Sequence, residues 1–111
     1  MNRICAEIVI ECLALAGVDH AFGIASGKMM PLMRALSNQN KIRFIGVRHE
    51  QAAAMMATGV NLATGRLACA FGELGPGGSN LVPGVANAFA DNVPLIAITT
   101  GNASHLSLIH I

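Results

Sequence analysis

At 111 residues the chain has room for one domain closing a single core. It is 53% apolar and only 12% charged, carries a formal net charge of +1, and contains neither Trp nor Tyr. No Lys/Arg cluster marks nucleic acid or an anionic membrane as partner, and no apolar stretch of membrane-spanning length runs free of polar residues. So little charge leaves much of the surface to be buried against another domain or subunit.

Cys5, Cys12 and Cys69 are odd in number, lie in apolar runs and form no CxxC pair, which fits buried, reduced thiols in a cytoplasmic protein and speaks against zinc. Arg3, Glu7 and Glu11 interrupt the opening residues, so these make no signal-peptide core. Asn2 is placed to cap a first helix reaching about Ala16, with Ile4, Ile8, Cys12 and Leu15 as its apolar stripe and Gly17 as its stop.

His20 to Gly23 reads as a short strand. After a Gly/Ser loop, Met29, Leu32, Met33 and Leu36 give the spacing of a second helix that tolerates Pro31 in its first turn. Ile42 to Val47 is a second strand, and Glu50 opens an alanine-rich helix that Thr64-Gly65 ends. Leu67 to Phe71 is a third strand. A glycine-rich loop, Gly72 to Gly78, then feeds a fourth helix to about Asp91, with Leu81, Val85, Ala88 and Phe89 as its buried stripe. Leu95 to Thr99 is a fourth strand after Pro94.

Helices and strands alternate, and three strands are almost continuously apolar. That pattern predicts an α/β fold, a doubly wound, mostly parallel sheet with helices on both faces. Ligands of such sheets meet the loops at the carboxyl ends of the strands. Here those loops hold Gly23 to Gly27, Arg48 to Glu50, Gly72 to Gly78 and Thr100 to Asn102. Residues 102–111 supply neither the next helix nor the next strand, so they are expected to be truncation or foreign sequence, and His105 and His110 within them carry no weight.

Gly23 to Lys28 is one residue short of a phosphate loop, with Met29 where a magnesium-holding hydroxyl belongs. Gly75-Pro76-Gly77-Gly78 suits either a plain turn before a helix or a wall of backbone amides against a ligand. Glu50 likewise admits two readings. A first-turn carboxylate satisfies the helix dipole, but in so apolar a setting the amides favour its charge while burial opposes it, which is how proton-transfer groups are tuned. Arg48 and His49 read as structural neighbours.

An ordered series of segments resembles the N-terminal, pyrimidine-binding domain of thiamine-diphosphate enzymes, closest to the acetolactate synthase-like group. The series is Ala16 to Ile24, Pro31-Leu32 with Ala35-Leu36, Val47-Arg48-His49-Glu50-Gln51-Ala52, Ala63-Thr64-Gly65, Gly75 to Leu81, and Gly84 through Asp91 to Thr99. The resemblance spans roughly residues 5 to 101, making 1–101 a partial domain of this kind and 102–111 an atypical tail.

The resemblance implies that Glu50 is the catalytic carboxyl group, hydrogen-bonded to N1′ of the cofactor's aminopyrimidine and relaying a proton. It implies that Gly75, Pro76, Gly77 and Asn80 also touch the pyrimidine end, and that Ala25, Ser26, Gly27, Glu73 and Leu74 shape the substrate pocket. The full-length enzyme would decarboxylate a 2-keto acid such as pyruvate and ligate the resulting carbanion to a second keto acid. Plain 2-keto acid decarboxylation is the alternative, and a non-catalytic small-ligand module lies beyond it. Mg2+ and the diphosphate would be held by a domain of a neighbouring subunit in a homo-oligomer. Its GDG…N motif does not occur in this chain, which supplies no metal ligand and is expected to be inactive by itself. Departures fall in the pocket: Ala25-Ser26-Gly27 replaces a usual proline-glycine pair, Glu73-Leu74 stands where small hydroxyl residues are usual, and Asn102 replaces a frequent glutamine.

Overall fold

The protein's structure, a computed structural model, describes residues 3–102. The elements in chain order are α1 (Cys5–Leu15), β1 (His20–Gly23), a short 3-10 turn (Gly27–Met29), α2 (Met30–Ser37), β2 (Arg43–Gly46), α3 (Glu50–Thr64), β3 (Cys69–Gly72), α4 (Pro76–Ala90) and β4 (Ile96–Thr99). The strands form one parallel sheet in the order β2-β1-β3-β4. The expected alternation and parallel pairing are therefore present.

Successive residues of a strand face opposite sides, so the central strands need apolar side chains at every position. Ala21, Cys69 and Phe71 face one core with Ile10 and Leu13 of α1 and Ala35 and Leu36 of α2. Phe22 and Ala70 face the other, with Ala53, Ala54 and Ala57 of α3 and Leu81 of α4. Methyl groups on both the sheet and α3 let that helix lie close to the strands. The crossover from β1 to β2 uses α2 on one face, while the two that run back use α3 and α4 on the other. One hand of connection accounts for all three.

Local chemistry sets the helix ends. Gly65 takes the left-handed conformation (φ 71°) and its N–H closes α3 on the Asn61 carbonyl at 2.7 Å. Pro31 sits in the first turn of α2, where its missing N–H is not needed. The glycine-rich segment differs from expectation: β3 runs through Gly72 and α4 already begins at Pro76, so Gly77 and Gly78 belong to its first turn and only Glu73 to Gly75 form the loop. Proline's fixed φ starts the helix early.

Three side-chain expectations are corrected. On α1 the residues Ile4, Ile8 and Leu15 are 48, 46 and 76% exposed, and the buried pair is Ile10 and Leu13, backed by Ala6, Val9 and Ala14. The helix is apolar on two faces, and the sheet selects the one whose side chains reach β1 and α2. Cys5 and Cys12 follow the outer face and are exposed, leaving Cys69 as the buried thiol, pushed up to about 12 by desolvation. On α4, Phe89 is 85% exposed although Leu81 and Ala88 are buried as expected. The Asn2 cap and the residues of the tail from 103 onward lie outside the described residues.

Candidate functional site

All four strands point their carboxyl ends the same way, so the loops after Gly23, Gly46, Gly72 and Thr99 share one edge. β1 and β3 are neighbours, yet α2 leaves β1 for one face and α4 leaves β3 for the other. The divergence opens the sheet edge where doubly wound folds hold ligands.

Glu50 is the first residue of α3 and is half-buried. His49 caps the helix, its Nδ1 accepting the Gln51 N–H at 3.2 Å, so this histidine is structural here; Arg48 is exposed. The amide Nδ2 of Asn80, in the second turn of α4, donates to Glu50 Oε2 at 3.0 Å. Glu50 Oε1 has no hydrogen-bond partner among the described residues, but it is not sealed off: the one closed, partnerless side-chain oxygen among them is Ser26 Oγ. Oε1 lies beside Gly77, where an added Cβ would stand 3.1 Å from it. One carboxylate oxygen is thus pinned and the other left open beside a missing side chain.

The pairing of two helices holds this geometry. Gly84 packs so tightly on α3 that a Cβ there would fall 2.4 Å from the Ala54 Cβ. Gly84 lies one turn beyond Asn80, and Ala54 one turn beyond Glu50. The glycine–alanine contact and the amide–carboxylate bond are therefore consecutive layers of one close helix pair. Gly72 serves the same end, since a Cβ on it would meet the Gly77 carbonyl at 2.5 Å.

The remaining candidates divide. Glu73 and Leu74 form the turn into α4: the Gly78 N–H donates to the Glu73 carbonyl at 2.6 Å, and the Leu74 N–H to Thr100 Oγ1 at 3.1 Å. Gly75 has φ 69° and is exposed together with Pro76. Ala25, Ser26 and Gly27 share the edge but make no hydrogen bond to the Glu50 cluster among the described residues. Ala25 instead lines a cleft of about 460 Å³ over Met30, Met33, Leu36 and Phe44. The sequence reading weighed Lys28 only as the end of an incomplete phosphate loop and missed that its Nζ donates to Asn102 Oδ1; nothing in one chain announces a contact between residues 74 positions apart.

At the opposite edge, Asp19 accepts from Arg66 Nη1 at 2.5 Å and pairs with His20 Nδ1 at 2.7 Å. The His20 hydrogen bond first, and Arg66 second, hold its carboxyl below the usual aspartate range. The cluster ties the turn after α1 to the turn after α3. No group of three or more His, Cys, Asp or Glu that could hold a metal occurs among the described residues, and no helix among them is long and apolar enough to cross a membrane.

The family described as "Thiamine pyrophosphate enzyme, N-terminal TPP binding domain" matches residues 4–110. Relatives include the pyruvate oxidase of Lactiplantibacillus plantarum, 40% identical over 98 residues, 87% of this chain and 16% of that protein. The acetolactate synthase large subunit of Buchnera aphidicola subsp. Schizaphis graminum is 38% identical over 101 residues, 91% of this chain and 18% of that protein. The acetolactate synthase of Mycobacterium bovis is 42% identical over 94 residues, 85% of this chain and 15% of that protein. The chain thus spans less than a fifth of the length of these relatives. A parallel sheet opened at its switch point, a pinned carboxylate there and a match along almost the whole chain carry one conclusion: this chain belongs to the N-terminal TPP-binding domain family of thiamine pyrophosphate enzymes.

Proposed function

We propose that the full-length protein is a thiamine-diphosphate-dependent carboligase acting on 2-keto acids, and that this chain supplies the carboxyl group that meets the pyrimidine end of the cofactor. The observation that carries the reading is the division of labour within Glu50: Oε2 accepts from Asn80 while Oε1 stays open beside Gly77. The residues fit the group, because a ring nitrogen can share a proton with Oε1 in a space that any side chain at position 77 would narrow. Asn80 can only donate through Nδ2, so a proton on the Glu50 carboxyl belongs on Oε1. The N-terminus of α3 steadies the charge that remains when that proton moves away. When bound, the cofactor supplies the carbon nucleophile that attacks the keto carbonyl.

Glu50 is the proton-relaying residue in this proposal, with Gly75, Pro76, Gly77 and Asn80 as the pyrimidine-facing wall. Glu73 and Leu74 continue that wall toward the substrate; Ala25, Ser26 and Gly27 face it from the neighbouring loop. In this proposal the diphosphate and Mg2+ belong to a second domain from a neighbouring subunit of a homo-oligomer.

Full-length protein given thiamine diphosphate, Mg2+ and pyruvate is expected to form acetolactate, one CO2 released for each two pyruvates consumed. Acetaldehyde as the sole product would favour the decarboxylase. Oxygen uptake would favour an oxidase like the L. plantarum relative. No cofactor-dependent consumption of any 2-keto acid would overturn the proposal.

A further inference from the structure

The carboxyl edge of the sheet carries the carboxylates of Glu50 and Glu73, yet the substrate class proposed above is itself anionic. A cation has to offset that repulsion. Two occur in the described loops of this edge, Arg48 after β2 and Lys28 after β1. Lys28 is the one that is fixed in place. Its ammonium donates to Asn102 in the segment after β4, although β3 lies between β1 and β4. Thr100, two residues before Asn102, donates its N–H to the Gly72 carbonyl at 3.2 Å and accepts from the Leu74 N–H at 3.1 Å, so the segment that holds Lys28 lies against the end of β3 and the turn that carries Glu73.

The lysine has spare capacity. Its partner is a neutral amide, and among the described residues no carboxylate pairs with it, whereas Arg3 and Arg66 each hold one. Two residues earlier, Ser26 Oγ is closed off without any partner, so the same loop holds a second donor whose bonding is incomplete. An exposed ammonium fixed at the sheet edge and free of a carboxylate partner among the described residues is a receptor for a carboxylate.

Which carboxylate follows from the chemistry. A cation on the carboxylate that departs as CO2 would stabilise the ground state more than the transition state, in which that charge moves away. The acceptor keto acid keeps its carboxylate. Its carbonyl carbon forms the new C–C bond to the two-carbon unit left after CO2 loss, and its carbonyl oxygen takes a proton. Two pyruvate anions and one proton give one acetolactate anion and one CO2. Resting on the function proposed above, the geometry points to Lys28 as the residue that selects an anionic acceptor, a 2-keto acid rather than an aldehyde, and Asn102, which lies within the residues 4–110 that match the family although the sequence reading assigned it to the tail, as the residue that positions it.

The test uses the full-length protein with pyruvate as donor and either 2-ketobutyrate or benzaldehyde as added acceptor. Lys28→Met is expected to raise the KM for 2-ketobutyrate roughly 10- to 100-fold, the usual size of one charge-assisted hydrogen bond. It should also shift pyruvate from acetolactate toward acetaldehyde while leaving ligation to benzaldehyde within about twofold; Lys28→Arg should restore much of the loss. An unchanged KM for the keto acid, an equal loss with benzaldehyde, or the same selective loss in Arg48→Met but not Lys28→Met would overturn the proposal. Wild-type protein that yields aldehyde alone would overturn it too, while leaving the assignment of Glu50 intact.

Discussion

Asn80 decides which oxygen of Glu50 is free. Its amide reaches across from α4 at 3.0 Å and fixes Oε2, so the carboxyl group cannot turn Oε1 away from Gly77 without breaking that bond. Replacing Asn80 by Ala is expected to lower kcat/KM of the full-length protein about tenfold, the weight of one hydrogen bond to a charged group, with little change in the melting temperature. An equal loss from Asn80→Gln would fit, because the longer side chain misplaces the donor; full activity in Asn80→Ala would contradict the role. The sequence alone singled out both residues through the segments that carry the family likeness. It left the bond between them unseen, since a contact across 30 positions has no local signature.

At the level of the elements, the close pairing of α3 and α4 controls the site, and small residues make it possible. Gly84→Ala would force a Cβ to 2.4 Å from that of Ala54, so the helices must separate. A loss of about 1–3 kcal/mol in urea unfolding is expected, together with a weaker Asn80–Glu50 contact. Gly59 on α3 faces open space, so Gly59→Ala should instead stabilise by about 0.5–1 kcal/mol through helix propensity. Equal responses at the two positions would contradict this packing. Periodicity did not foresee which face each helix would bury. α1 has apolar residues on two faces, and only the sheet chooses Ile10 and Leu13 over Ile8 and Leu15. β1 and β3, buried on both faces, were legible because continuous apolar runs admit no other place for a short strand.

For the whole molecule, the alternation of elements was enough to read the fold class, whereas the strand order and the meeting of distant loops were not. Those depend on which neighbours the crossovers reach. Large apolar side chains are exposed on α1, α3 and α4, with Leu15, Leu62 and Phe89 at 76, 69 and 85% exposure. The 111-residue chain by itself is therefore expected to self-associate in sedimentation at micromolar concentration; a clean monomer would argue against faces made for partners. Acid sensitivity should come partly from Asp19, whose carboxyl lies below its ordinary value through His20 and Arg66. A depressed folded pKa gives stability that is present at neutral pH and lost as pH falls through the ordinary aspartate range, about 4, toward the folded value. Between pH 7 and pH 3 the urea midpoint of the wild type should fall more than that of Asp19→Asn, and parallel curves would refute the contribution.

The measurement nearest the centre is hydrogen–deuterium exchange at C2 of thiamine diphosphate bound to full-length protein, compared between wild type and Glu50→Gln. If the open oxygen of Glu50 moves a proton, the amide variant keeps its fold and exchanges slower by orders of magnitude. Exchange near the wild-type rate in a folded, cofactor-loaded Glu50→Gln protein would contradict the account.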